Sequence, residues 1–164
     1  GIVVTPGYPG IAEHARAPEI QPQYWYQHFH RLPLAAALLD GDRAAVHAYL
    51  SHFWRSWSAR DDLAAGARFE QIVDAYARPG AFAASIAWYA ANTGYVQSEP
   101  IAVPAVVLWA ARDPLFRVEW ADRLGESFAD FQLEVLSECG HFVPLEAPDA
   151  VVRAIARLDG SRVE

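Results

Sequence analysis

The sequence predicts an α/β core interrupted by an all-helical insertion. The chain opens on a short β-branched apolar run, "GIVVTP". A long aromatic middle with helical spacing follows, and the last third alternates strand-like and helix-like runs. A strand, an insertion, then β-α-β-α is the pattern of a parallel sheet covered by helices and carrying a cap.

Each element follows from local pattern. "GIVVTP" reads as the end of a buried strand, and Pro6, Gly7, Pro9 and Gly10 form an exit loop, so residues 1–17 are core strand plus loop. Residues 18–98 read as a helical cap. "YWYQHFHRLPLAAALLDG" reads as one helix stopping at Asp40 and Gly41. A second starts at an Asp42 N-cap and carries apolar residues at Val46, Tyr49, Leu50, Phe53 and Trp57, which is helical spacing. "ARFEQIVDAYARPG" repeats that spacing at Phe69, Ile72, Val73 and Tyr76. "GAFAASIAWYAANTG" is a fourth helix, closed by Asn92 and Gly94. In residues 99–164, "VPAVVLWAARD" is a continuous apolar run typical of a central parallel strand. "FRVEWADRLGESF" reads as amphipathic helix, "FQLEVLSECG" as an alternating strand, and "APDAVVRAIARL" as a helix started by Pro148 and Asp149.

Composition narrows the partners. The 164 residues are 53% hydrophobic, with 6 Trp, 7 Tyr and 8 Phe, enough for a packed core. A formal charge of −7 with no basic run argues against nucleic acid or an anionic membrane surface. Cys139 is the single cysteine, so no internal disulfide forms, and zinc-type Cys/His spacing is absent. No apolar run approaches the ~18 residues of a membrane span. The start shows no signal-peptide pattern, so the expected location is cytoplasmic; no metal or cofactor is expected.

Two titratable residues close successive strands. Asp113 follows "VVLWAAR", and His141 follows "LEVLSECG". Active sites in open parallel sheets gather at the C-terminal strand ends. A lone loop histidine is more often a surface residue, and a lone strand-end aspartate is more often a helix N-cap, which "RDPLF" also fits. Together, in this order, they form the back half of a nucleophile–acid–histidine triad, with Asp113 able to accept from Nδ1–H of His141.

"LWAARDPLF" and "CGHFVPLEAPDAVVRAI" resemble the acid and histidine motifs of the α/β-hydrolase superfamily. The resemblance implies a partial α/β-hydrolase core with Asp113 as acid and His141 as general base. "YWYQHFHRL" and "IAWYAANTG" resemble the two cap segments of bacterial epoxide hydrolases, each of which supplies a tyrosine; by motif position these are Tyr26 and Tyr89. The chemistry would be epoxide to vicinal diol through an ester on an aspartate, with the phenols stabilising the alkoxide. Trp25, Trp88, Phe29, His30 and Phe142 would then contact a small apolar substrate. Ala90 stands where the family often has arginine after the second tyrosine.

No Gly-x-Asp/Ser-x-Gly-like nucleophile elbow occurs in the sequence, so it is expected to be a fragment, the cap and last strands of the fold, with a sheet edge that an N-terminal half would cover. Three other functions stay open. A haloacid or haloalkane dehalogenase would use cap Trp or His for the halide, and a serine esterase would need no cap tyrosines. A non-catalytic ligand-binding module would need no Asp–His pair.

Overall fold

The computed structural model describes residues 1–5, 11–91 and 99–160. In chain order its elements are β1 (Ile2–Val4), α1 (Ile11–His14), a 3-10 turn at Gln21–Tyr24, α2 (Trp25–His30), α3 (Pro33–Leu39), α4 (Arg43–Trp57), α5 (Gly66–Tyr76) and α6 (Ala81–Ala91). Then come β2 (Ala105–Ala110), a 3-10 segment at Val118–Arg123, α7 (Leu124–Ser127), β3 (Phe131–Leu136), α8 (Val143–Glu146) and α9 (Pro148–Asp159). The chain divides into two compact units. A core unit comprises Gly1–Ile20, Trp57–Ala59 and Val96–Glu164; a helical unit comprises Gln21–Ser56 and Arg60–Tyr95.

The core unit is built on a parallel sheet in the order β1-β2-β3. β2 pairs with β1 from Ile2↔Ala105 to Val4↔Val107, and with β3 from Ala105↔Phe131 to Ala110↔Leu136. Parallel neighbours cannot be joined by hairpins, so the chain leaves the sheet between strands. β2 is buried at every position, as its unbroken apolar run requires. Val106, Leu108, Ala110, Cys139, Val143, Ala150 and Ala154 form the core cluster, so the strands and α9 share one hydrophobic layer. Pro148 occupies the first turn of α9, where its missing N–H costs nothing, and Gly160 ends the helix in the left-handed conformation.

Three elements of this unit differ from their sequence reading. β1 is half-buried rather than buried, pairing with β2 on one side among the described residues. The stretch read as amphipathic helix is mostly 3-10, with only a four-residue α-turn at α7. β3 alternates, but Leu133 and Val135 are exposed. Glu134 turns instead toward α9, where Arg157 lies 2.7 Å and Arg153 3.8 Å from its carboxylate. The short helix α8 has no counterpart in the sequence pattern.

In the helical unit the Asp42 cap is formed: Oδ1 accepts the N–H groups of Ala44 at 2.9 Å and Ala45 at 3.0 Å. Val46, Phe53, Phe69, Val73, Phe82 and Ile86 are buried between helices. The segment read as one helix is two. Leu32 is extended (φ −86°, ψ 137°) because it precedes Pro33, which restarts the chain as the first residue of α3. Asp40 then caps α6 by accepting from the N–H groups of Gly80 at 2.7 Å and Ala83 at 3.0 Å. The expected closing residues Asn92 and Gly94, and the exit-loop residues Pro6 to Gly10, lie outside the described residues.

Candidate active site

The ends of β2 and β3 carry the first cluster. Past Ala110 the chain turns at once: the N–H of Ala111 bonds to Leu136 O at 3.0 Å, and that of Arg112 to Cys139 O at 2.9 Å. These bonds fasten the two strand-end loops together. The buried Asp113 carboxylate divides its work. Oδ1 accepts the N–H groups of Leu115 at 2.8 Å and Phe116 at 3.3 Å, and Oδ2 stands 2.9 Å from Nδ1 of His141. One oxygen thus fastens the Asp113–Phe116 loop and the other faces His141; the next helical segment starts only at Val118, capped by Arg117, so the N-cap expected at Asp113 does not form. Trp109 holds the loop from below, its indole N–H donating to Phe116 O at 2.9 Å.

An ionised carboxylate only accepts, so Nδ1 of His141 carries the proton and Nε2 keeps its lone pair. That is the tautomer a general base needs. The imidazole is partly open, 25% exposed, while the Asp113 side chain is 2% exposed. Phe142 meets the ring edge-on at 5.4 Å between centroids. Two rings not anticipated from sequence also enclose it: Trp57 at 5.0 Å and Phe116 at 5.7 Å. Trp57 is 84 positions away from His141, and no local pattern announces that approach.

A second cluster lies in the helical unit. Tyr26 on α2 and Tyr89 on α6 meet edge to face, centroids 6.1 Å apart at 88°. His30 packs on Tyr89 at 4.6 Å and on Tyr26 at 5.8 Å, and its Nε2 is 2.7 Å from the Tyr49 hydroxyl. Burial lowers His30 to about 4, so it is neutral at pH 7. Burial likewise raises the phenols of Tyr49 and Tyr89, which therefore stay protonated O–H donors. Phe29 lies against Trp25 at 6.0 Å and Tyr49 at 5.9 Å. Trp25 stacks on Phe53 and Trp88 on Tyr89, yet both remain about half exposed, at 42% and 53%. Tyr49, which the sequence assigns to packing, does pack against Phe53 and Phe82, and its hydroxyl is also hydrogen-bonded inside this cluster.

The structure thus gathers His141, Asp113 and Phe142 in the core unit, and Tyr26, Tyr89, His30, Phe29, Trp25 and Trp88 in the helical unit. Among the described residues, no group of His, Cys, Asp or Glu side chains is arranged to hold a metal ion, and no helix is long and apolar enough to cross a membrane.

No family model matches the chain. Human monoacylglycerol lipase ABHD6 is 37% identical over 57 residues, which are 35% of this chain and 17% of that protein. Solved structures match nearly all of the chain. Epoxide hydrolase CorEH superimposes with a TM-score of 0.78 at 18% identity, over 96% of this chain and 58% of its own. ALR0039 from Nostoc sp PCC 7120, a candidate α/β hydrolase, gives 0.77 at 21%, over 95% and 56%. An epoxide hydrolase from Bacillus megaterium gives 0.71 at 14%, over 97% and 60%. The chain therefore spans less than two thirds of these proteins. Its three-stranded parallel sheet, flanking helices and helical insertion are part of an α/β-hydrolase fold with its cap.

Proposed function

We propose that this chain supplies the base, its orienting acid and the electrophilic tyrosines of an epoxide hydrolase. The observation that carries this is the Tyr26–Tyr89 pair, two O–H-donating phenols in one aromatic cluster of the helical unit, together with the oriented histidine of the core unit. Opening an epoxide places negative charge on the ring oxygen. Two phenol O–H groups can stabilise that charge, and one can give up its proton to the alkoxide. A carboxylate nucleophile attacks the ring carbon and becomes an ester; none of these 164 residues is assigned that role. His141, held by Asp113, then takes a proton from water, and the hydroxide cleaves the ester to the diol. Trp25, Trp88, Phe29, His30 and Phe142 suit a small apolar substrate.

A second function, serine ester hydrolysis, is favoured by the local identity to monoacylglycerol lipase ABHD6. It needs the same Asp–His pair but leaves the tyrosines as packing. Expression of the open reading frame that encodes this chain, followed by assay on an aryl epoxide and a nitrophenyl ester, separates the two. Diol release, lost on replacing both Tyr26 and Tyr89 by Phe, is the expected result. Ester cleavage that survives this double replacement, with no diol formed, would assign the second function.

A further inference from the structure

We propose that Glu146 is a positioning residue for His141. Its carboxylate, on the last residue of α8, collects three main-chain donors. Oε2 accepts the N–H groups of Gly140 at 2.9 Å and Ala59 at 2.8 Å, and Oε1 accepts that of Phe142 at 3.0 Å. Two of these amides are the immediate neighbours of His141 on either side. The N–H of His141 itself bonds to Trp57 O at 2.9 Å. Three consecutive amides, 140 to 142, are therefore fixed by partners outside their own loop turn.

The third donor brings a second strand of backbone into the arrangement. Residues Trp57 to Ala59 lie so close to Gly140 that a Cβ there would come within 2.5 Å of Ala59 N and 2.6 Å of Trp57 O. Only glycine permits that approach, and Glu146 bridges the two segments once it is made. The same segment carries the Trp57 ring that packs on the imidazole. Charge-assisted bonds from one carboxylate thus set where the His141 backbone sits, while Asp113 sets where its ring points. Misplacing a base by about 1 Å can cost 10²-fold in rate, so fixing its backbone matters as well as fixing its ring.

This proposal rests on His141 being the general base, and its test needs no substrate. The 15N-labelled product of the open reading frame and its Glu146→Gln and Glu146→Ala variants would be compared by imidazole 15N–1H correlation at pH 8 and by amide exchange. In the variants, the amides of Ala59, Gly140 and Phe142 are expected to exchange at least tenfold faster. The minor Nε2–H tautomer of His141 is expected to rise at least threefold, with the exchange of Val106 to Trp109 unchanged. Faster exchange with an unaltered His141 tautomer would make Glu146 a loop staple and overturn the proposal, as would unchanged exchange at those amides. If the alanine variant loses its fold, the isosteric glutamine variant decides by the same two readouts. A failed epoxide assay would leave these spectra unaffected, so the two claims fail separately.

Discussion

The two clusters are held by opposite means. In the core unit, His141 is fixed by directional bonds: Asp113 on its ring, Trp57 O on its backbone, and a carboxylate on each flanking amide. In the helical unit, Tyr26, Tyr89, His30 and Tyr49 are packed ring face against ring edge, and a 2.7 Å bond joins His30 to Tyr49. A base has one useful orientation and must change charge during turnover, so directional, charged partners suit it. Neutral O–H donors need dryness more than they need an ionic partner, and aromatic packing supplies it. The charge states agree. The helical cluster keeps a neutral imidazole and protonated phenols by burial, whereas the imidazole of His141 is partly open beside an acceptor.

The harshest way to break the directional side is Asp113→Asn. The asparagine oxygen can still accept from Leu115 and Phe116, but its NH2 then faces His141 and reverses the tautomer. Hydrolytic turnover by the product of the open reading frame is expected to fall about 10⁴-fold, by analogy with the same change in serine proteases, with little loss of melting temperature. Steady-state kinetics and a melt on one preparation check both halves.

Replacing Tyr26 and Tyr89 by Phe tests the packed side. Epoxide turnover is expected to drop about 10²- to 10³-fold, the cost of removing oxyanion donors. The rings would still pack, so the near-ultraviolet dichroism of the aromatic cluster should persist. Its disappearance would mean that the hydroxyls are structural.

Gly140→Ala strains the backbone crossing without touching a titrating group. The built Cβ at 2.5 Å from Ala59 N requires a main-chain shift. Overpacking of this kind costs about 1–3 kcal/mol, readable by urea denaturation. Loss of the Asp42 cap through Asp42→Ala, in the helical unit, should cost about 1 kcal/mol and spare the Asp113–His141 pair.

A pH dependence sharpens the packed side further. His30 is lowered by burial from 6.5 to about 4, so the unfolded chain binds its proton at a higher pH than the folded one. Its contribution to stability is complete above pH 6.5 and is lost as pH falls toward 4. His30→Phe should therefore flatten the fall in melting temperature across that window relative to the parent chain. Parallel slopes would show that His30 does not titrate on unfolding.

Much of this was legible where chemistry is local. The apolar run of β2, the Asp42 cap and the Pro148 start of α9 each depend on neighbouring residues, and each forms. Asp113 and His141 were legible as a pair because each follows its own strand. Features that depend on distant partners were not. Glu134 turns inward on a strand whose alternation favours Leu133 and Val135, because arginines 19 and 23 positions later meet it. The break at Leu32 is encoded by Pro33, but apolar spacing on both sides of it mimics one continuous helix. Glu146 lay in plain view five residues after His141, but its partners at Gly140, Phe142 and Ala59 are main-chain amides, which leave no mark on sequence.

The most direct test of epoxide chemistry is to trap the ester. The product of the open reading frame, carrying His141→Ala, would be mixed with an aryl epoxide and its intact mass recorded. Without the base the hydroxyalkyl ester cannot be hydrolysed, so a stable gain equal to the mass of one epoxide is expected, on a carboxylate side chain. No gain from the epoxide, together with labelling of a serine by a fluorophosphonate in the parent protein, would contradict it and assign the fold to ester hydrolysis.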